Sequence, residues 1–106
     1  MARIRVMGAG GWGTALAMMA DRSGHQVSMW SVFEEEVNRL SKVREHKKLL
    51  PGVKIPESIA ITGDLASAAE ADLVILAVPS FAVRQTAHSL KDVLPQGAVV
   101  VNVAKG

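Results

Sequence analysis

Short apolar runs alternate with helical patterns along the whole chain, and this alternation most constrains how it can fold. The most distinctive run, residues 73–78, is apolar throughout and is followed by Pro79. A strand that is apolar on both faces is typical of a parallel sheet covered on both sides. Further strands are predicted at residues 4–7, 26–31, 59–62 and 98–103, the last of them also buried. Helices are predicted at residues 14–22, from residue 34 onward, at 64–71 and at 80–94.

The order β-α-β-α-β-α-β-α-β predicts an α/β fold: a doubly wound, mainly parallel sheet with right-handed crossovers and helices on both faces. The 106 residues correspond to one domain, residues 1–106, with no interdomain linker. Because the chain stops at Lys105-Gly106, directly after a predicted strand, we expect it to be a fragment of a longer protein.

Composition excludes several classes of protein. The chain has no cysteine, which excludes a disulfide framework and fits a reducing compartment, so a cytoplasmic location is expected. No apolar run reaches the ~18 residues of a membrane span. The net charge of +2 and the aromatic content of 4% do not indicate a nucleic-acid partner. The three histidines lack metal-ligand spacing, so no metal site is predicted.

Residues 8–13, with the sequence GAGGWG, match the pattern G-x-G-x-x-G between the first predicted strand and the first helix. Gly8 permits a tight turn out of the strand, Gly10 lets the backbone approach a pyrophosphate, and Gly13 lets the helix pack close to the sheet. The free N–H groups at the helix start attract phosphates. The pattern predicts a dinucleotide site; the alternative is a glycine turn that only connects strand to helix.

The end of the second strand bears on the choice of cofactor. NAD sites usually place an acid there, about 20 residues after the glycines, whereas a 2′-phosphate requires Arg or Lys. Ser31, Val32 and Phe33 occupy this position, and Glu34–Glu36 follow. These acids would repel a 2′-phosphate, which slightly favours NAD(H) over NADP(H). Phe33 is a candidate contact of the adenine ring, or else a core contact of the second helix.

Two more candidates follow strands at the carboxyl edge of the sheet, where ligands bind in such folds. Pro79 is a candidate neighbour of the cofactor; the ordinary alternative is that Pro79 ends its strand and Ser80 caps the next helix, and both can hold together. Lys105 either meets an anionic substrate and the nicotinamide end of a cofactor or is simply solvated. We find no nucleophile–base pair and no general base, so no catalytic residue is predicted within this chain.

A cluster of cations lies within 16 positions, and it is either a solvated surface or a basic rim that faces an anionic ligand. Its members are Arg39, Lys42, Arg44, Lys47, Lys48 and Lys54.

Together these motifs resemble the NAD(P)-dependent glycerol-3-phosphate dehydrogenases, in order and spacing, over the N-terminal half of that family. The matching segments are residues 8–17, Met29-Trp30, Arg44-Glu45-His46, Leu50-Pro51-Gly52, Val78-Pro79-Ser80 and Lys105-Gly106. The resemblance implies a Rossmann-type cofactor domain of an enzyme that interconverts glycerol 3-phosphate and dihydroxyacetone phosphate.

The same resemblance implies roles for individual residues. Gly11 and Trp12 would line the cofactor, residues 31–33 would hold its adenosine side, and Lys105 would contact both cofactor and substrate. A second catalytic lysine of the family lies in a C-terminal helical domain that this chain does not contain. The partners implied are therefore the dinucleotide and, in the full-length enzyme, a small phosphorylated substrate, with a homodimer as its assembly.

Some positions depart from the family pattern. Many bacterial members carry His or Arg where Val32 and Phe33 stand, and the present residues look more like the eukaryotic, NAD-using branch. Leu49 replaces a usual Tyr, and His46 a common Asn. Two other functions stay open at this point: a related reductase of another hydroxy or keto acid, and a nucleotide-sensing module without catalysis.

Overall fold

A computed structural model describes residues 1–45 and 52–103 of the chain. Its elements, in chain order, are β1 (Arg3–Met7), α1 (Gly11–Arg22), β2 (Gln26–Trp30), α2 (Glu34–Val43), β3 (Ala60–Thr62), a 3-10 helix (Leu65–Glu70), β4 (Leu73–Leu76), a second 3-10 helix (Ser80–Ala82), α3 (Val83–Leu90) and β5 (Val99–Asn102).

All five strands are parallel and lie in the order β3-β2-β1-β4-β5. The chain fills one half of the sheet from β1 to β3 and then crosses over to begin the other half at β4. This is the doubly wound arrangement that the alternation predicted. The direction in which successive strands are added to the sheet reverses between β1 and β4.

Each face of the sheet carries its own apolar core. On the first face, Val6 and Met29 pack with Ala17 of α1 and Leu40 of α2. On the second face, Met7, Trp30 and Leu76 of the sheet form the other core. They pack with Ala68 of the first 3-10 helix and Leu90 of α3. Helices therefore cover both faces, as expected, and fix the strands whose carboxyl ends form the site.

Two predicted helices are shorter than the sequence pattern indicated. The segment 64–71 forms a 3-10 helix capped by Asp64, whose Oδ1 accepts a hydrogen bond from the Ala66 N–H at 2.9 Å. The Asp64 N–H in turn donates to the Thr62 Oγ1 at 3.0 Å. The segment 80–94 forms the second 3-10 helix and α3, and Ser80 caps neither of them.

The expectation of a buried final strand is wrong, because β5 is an edge strand that pairs only with β4. All four of its residues are exposed, including three valines. Among the described residues, no core member comes from β5. An apolar run therefore identified the strand without showing whether anything packs over it.

Candidate functional site

A crevice of about 680 Å³ opens at the carboxyl edge of the sheet, where the order of strands reverses. Its size falls within the roughly 300–1,000 Å³ of small-molecule and cofactor sites. The loops after β1, β2 and β4 form its walls, and Val103, which follows β5, also lines it. Parallel doubly wound sheets bind their ligands at this position.

The glycine loop, residues 8–13, is the wall of the crevice that follows β1. Contacts within the protein exclude a larger residue at two of its glycines. Gly8 has a φ of +132°, and a Cβ there would lie 2.7 Å from the carbonyl of Ala77. A Cβ on Gly13 would lie 2.6 Å from the Gly8 oxygen. The turn out of β1 and the close approach of α1 to the sheet therefore both exclude larger residues, as the motif predicted.

Gly10 differs, because among the described residues, apart from its chain neighbours and its own helix, no atom lies within 4 Å of the Cβ that it would carry. Its backbone is extended, with φ −74° and ψ −175°, a conformation open to any L-residue. Neither packing nor backbone conformation explains a glycine here, whereas a ligand lying close to the backbone does.

The first turn of α1 faces the same space. Gly10 is the N-cap and has no side chain to cap the helix, and the first intrahelical bond runs from the Thr14 N–H to the Gly10 oxygen at 2.9 Å. Gly11, Trp12 and Gly13 precede that bond and line the crevice. Helix N–H groups without intrahelical partners, together with the helix dipole, make a favourable site for phosphate oxygens.

The β2 wall contains a carboxylate that the sequence pattern did not single out. Ser31 is buried, and its hydroxyl donates to Glu36 Oε1 at 2.7 Å while accepting from the Phe33 N–H at 3.1 Å. This places Glu36 of α2 along the crevice, whereas Glu34 and Glu35 do not line it. The strand-end position where an acid is usual is occupied by Ser31, and the acid reaches the site from the first turn of α2 through its contact with the Ser31 hydroxyl.

Aromatic side chains border the crevice. Phe33 is 62% exposed and belongs to neither core, which argues against a packing role under α2. Trp12 and Phe81 are also exposed along the crevice, and Phe81 was not predicted from the sequence. Trp30 lies at the base, where its Nε1 donates to the Gly63 oxygen at 3.2 Å. Exposed rings beside a cavity provide stacking surfaces for a planar ligand.

The remaining predicted site residues have different outcomes. Val32 and Pro79 both line the crevice. The strand expected to run up to Pro79 ends earlier, at Leu76. Lys105 lies outside the described residues, as do Lys47 and Lys48 of the basic cluster.

The four described members of that cluster do not line the crevice. Arg39 pairs with Glu36 at 3.9 Å and Lys54 with Glu45 at 3.4 Å. Arg44 has the left-handed φ of +56° that ends α2, and its Nη1 donates to the Ile59 oxygen at 2.6 Å. Lys42 is exposed on α2. These contacts favour the solvated surface over the basic rim.

A family model described as the N-terminus of NAD-dependent glycerol-3-phosphate dehydrogenase matches residues 3–106. The chain belongs to this family. A glycerol-3-phosphate dehydrogenase (NAD(P)+) of Moorella thermoacetica is 49% identical over 97% of the chain, and one of Fusobacterium nucleatum is 42% identical over all of it. The chain spans about a third of each relative, 31% and 32% respectively.

Solved structures agree with this assignment. The crystal structure of a glycerol-3-phosphate dehydrogenase from Coxiella burnetii superposes with a TM-score of 0.91, at 29% identity, over 99% of the chain and 33% of that protein. A ketopantoate reductase from Ralstonia eutropha superposes with a TM-score of 0.80 at 22% identity, over 98% of the chain and 34% of that protein, and shows the shared Rossmann-type fold alone. Within residues 1–45 and 52–103 of this family member, no helix has both the length and the apolar character needed to span a membrane.

Proposed function

We propose that the crevice binds NAD(P) with its pyrophosphate at the start of α1. The observation that carries this proposal is the unexplained glycine at position 10, whose missing Cβ leaves open space beside the free amides of the helix. The cofactor-binding residues proposed are Gly8, Gly10, Gly11, Trp12, Gly13, Ser31, Val32, Phe33, Pro79 and Lys105. Glu36 joins them because the structure brings it into the crevice.

We further propose that NAD(H) is preferred to NADP(H). The carboxylate of Glu36, held by Ser31, lies on the β2 wall, where the adenosine ribose binds in this fold. A carboxylate accepts hydrogen bonds from a ribose 2′-hydroxyl and repels a 2′-phosphate. Arg39, which pairs with Glu36 at 3.9 Å, is half-exposed and does not line the crevice.

In the full-length protein, this domain would serve the interconversion of glycerol 3-phosphate and dihydroxyacetone phosphate. The cofactor supplies hydride-transfer chemistry when it is bound. This chain would bind and orient it, and Lys105 would contact both cofactor and substrate. We expect the 106 residues alone to bind dinucleotide weakly and to show no measurable turnover. A cytoplasmic location, suggested by the lack of cysteine, and assembly as a homodimer are further parts of the proposal.

The binding proposal is tested by titrating the chain with NADH and NADPH while following tryptophan fluorescence. Trp12 and Trp30 are the two tryptophans, and both line the crevice, so a bound nicotinamide cofactor should quench them. Tighter binding of NADH is expected. Equal insensitivity to both cofactors would count against a dinucleotide site.

The variant Glu36→Gln tests the preference, with Glu35→Gln as its matched control. Both remove one charge from the first turn of α2, but only Glu36 lines the crevice. Glu36→Gln should reduce the ratio of NADH to NADPH affinity by about tenfold, the equivalent of one charge-assisted hydrogen bond of about 1.4 kcal/mol. Glu35→Gln should leave the ratio unchanged, and equal effects of the two variants would argue against a specific role of Glu36.

The variant Lys105→Ala, made in a full-length protein containing this domain, distinguishes a dehydrogenase from a nucleotide sensor. A dehydrogenase should lose most of its turnover, whereas a sensor should keep nearly its full affinity for the nucleotide and have no turnover to lose.

A further inference from the structure

A second cavity, of about 430 Å³, lies on the second face of the sheet, beneath the first 3-10 helix. Its walls come from the amino-terminal parts of β2 and β3, the middle of β1, and that helix. No residue lines both this cavity and the dinucleotide crevice. The six-residue 3-10 helix lies over this part of the sheet, and the cavity lies between them.

The polar residues of this cavity are unusual for the face of a central sheet. Arg5 of β1 is 8% exposed and its register neighbour Ser28 of β2 is 7% exposed. Burial lowers the pKa of Arg5, although the nearby Glu70 acts in the opposite direction. The neighbouring positions on the same face, Met7 and Trp30, belong to the apolar core. A buried cation at such a place requires compensation.

The protein compensates Arg5 only in part. Its Nε donates to the backbone oxygen of Ser67 at 2.8 Å. The Nη1 contacts to the backbone oxygens of Ile4 and Gln26 are both 3.4 Å long. The Nη2 contact to Gln26 Oε1 is 3.3 Å. These three distances exceed the usual range of about 2.7–3.2 Å. Among the described residues, no carboxylate forms an ion pair with Arg5.

Two hydroxyls in the same cavity lack partners. The Oγ atoms of Ser28 and Ser67 are buried, and neither forms a hydrogen bond with any part of the chain that the structure describes. Buried polar groups are nearly always satisfied by protein, water or ligand. A guanidinium can only donate and each hydroxyl has one proton to donate, so a group of acceptor oxygens would satisfy all three at once.

We propose that this cavity is a binding site for a small oxyanion of the phosphate or carboxylate type, held by Arg5, Ser28 and Ser67. The anion accepts from the Nη groups of Arg5 and from both hydroxyls, and it balances the buried charge. Glu70, which also lines the cavity and is exposed, opposes the anion and limits its affinity.

The test measures the melting temperature of the 106-residue chain in inorganic phosphate, in acetate, and in chloride at equal ionic strength. Near ten times its dissociation constant, phosphate should raise the Tm by roughly 5 °C over chloride. A larger effect of acetate would assign the site to carboxylates instead, within the same proposal. An equal Tm in all three salts would show that only water fills the cavity and would overturn the proposal.

Ser28→Ala is the decisive variant, because the hydroxyl that it removes has no partner in the described structure. Without phosphate, its Tm should equal or exceed that of the unsubstituted chain. Its phosphate affinity should be about tenfold lower, which corresponds to one hydrogen bond to a charged group. Glu70→Gln should bind phosphate more tightly, and the control Arg22→Gln, an exposed cation at the end of α1, should bind it as the unsubstituted chain does.

Phosphate could also bind at the start of α1, and Gly10→Ala distinguishes the two sites. If this cavity binds the anion, the phosphate response is kept in Gly10→Ala and reduced in Ser28→Ala. The reverse result would assign the phosphate to the dinucleotide crevice and overturn the proposal.

Discussion

Replacing Gly10 by alanine separates the binding of a dinucleotide from the folding of the protein. Beyond its chain neighbours and its own helix, the new methyl group has no atom of the described residues within 4 Å, and the backbone conformation is one that alanine adopts freely. Alanine is a poorer N-cap than glycine, by about 0.5–1 kcal/mol, but it also reduces the entropy of the unfolded chain by about 0.4–1 kcal/mol. These contributions oppose each other, so the free energy of unfolding should change by less than about 0.5 kcal/mol.

Binding should respond strongly to the same substitution. If a pyrophosphate contacts the Gly10 backbone, the methyl group occupies its space, and overpacking of that kind costs about 1–3 kcal/mol. The dissociation constant for NADH should then rise roughly 5- to 150-fold. Tryptophan quenching measures the binding, and urea denaturation measures the stability.

Gly63→Ala is the matched control, because its Cβ would make ordinary contacts at 3.6 Å and 3.7 Å, and Gly63 does not line the crevice. It should change neither property appreciably. Unaltered NADH affinity in a stably folded Gly10→Ala variant would refute the reasoning that places the pyrophosphate at this glycine.

Five further substitutions test the packing and capping. Gly13→Ala, with its Cβ 2.6 Å from the Gly8 oxygen, should destabilise the fold by about 1–3 kcal/mol in urea denaturation, and a neutral effect would mean that α1 can shift away from the sheet. Val74→Ala should cost about 2 kcal/mol by the same measurement, whereas Val100→Ala, at the paired position of β5, should cost less than about 0.5 kcal/mol; equal costs would show that β5 is covered in solution. Asp64→Ala should cost about 1 kcal/mol in thermal denaturation, since it removes the bond to the Ala66 N–H, and Asp64→Asn should restore most of that stability.

The alternation of strands and helices along the chain and the glycine loop could be predicted because their signals are local. The turn at Gly8 and a helix after the glycines follow from the spacing of glycines between an apolar run and a helical pattern, although α1 begins at Gly11 and not at the predicted residue 14. The exposure of β5 could not be predicted, because valines identify a strand without showing what lies over it. An apolar run of the same kind forms β4, which core residues cover.

The place of Glu36 in the crevice depends on contacts that no periodicity contains. It reaches the β2 wall of the crevice because the buried hydroxyl of Ser31 donates to its carboxylate. The second cavity also depends on tertiary contacts, because the sequence shows Ser28 only as an ordinary polar position in a strand. Ser28 is buried because the first 3-10 helix crosses the sheet beside Arg5.

The position of the pyrophosphate is tested most directly by following the backbone amide signals of the chain by NMR during a titration with NADH. The amides of Gly11, Trp12 and Gly13 should move early and furthest, because they precede the first intrahelical bond of α1 and face the crevice. If these three signals stayed fixed while others moved, the dinucleotide would bind elsewhere and the account of the site would be wrong.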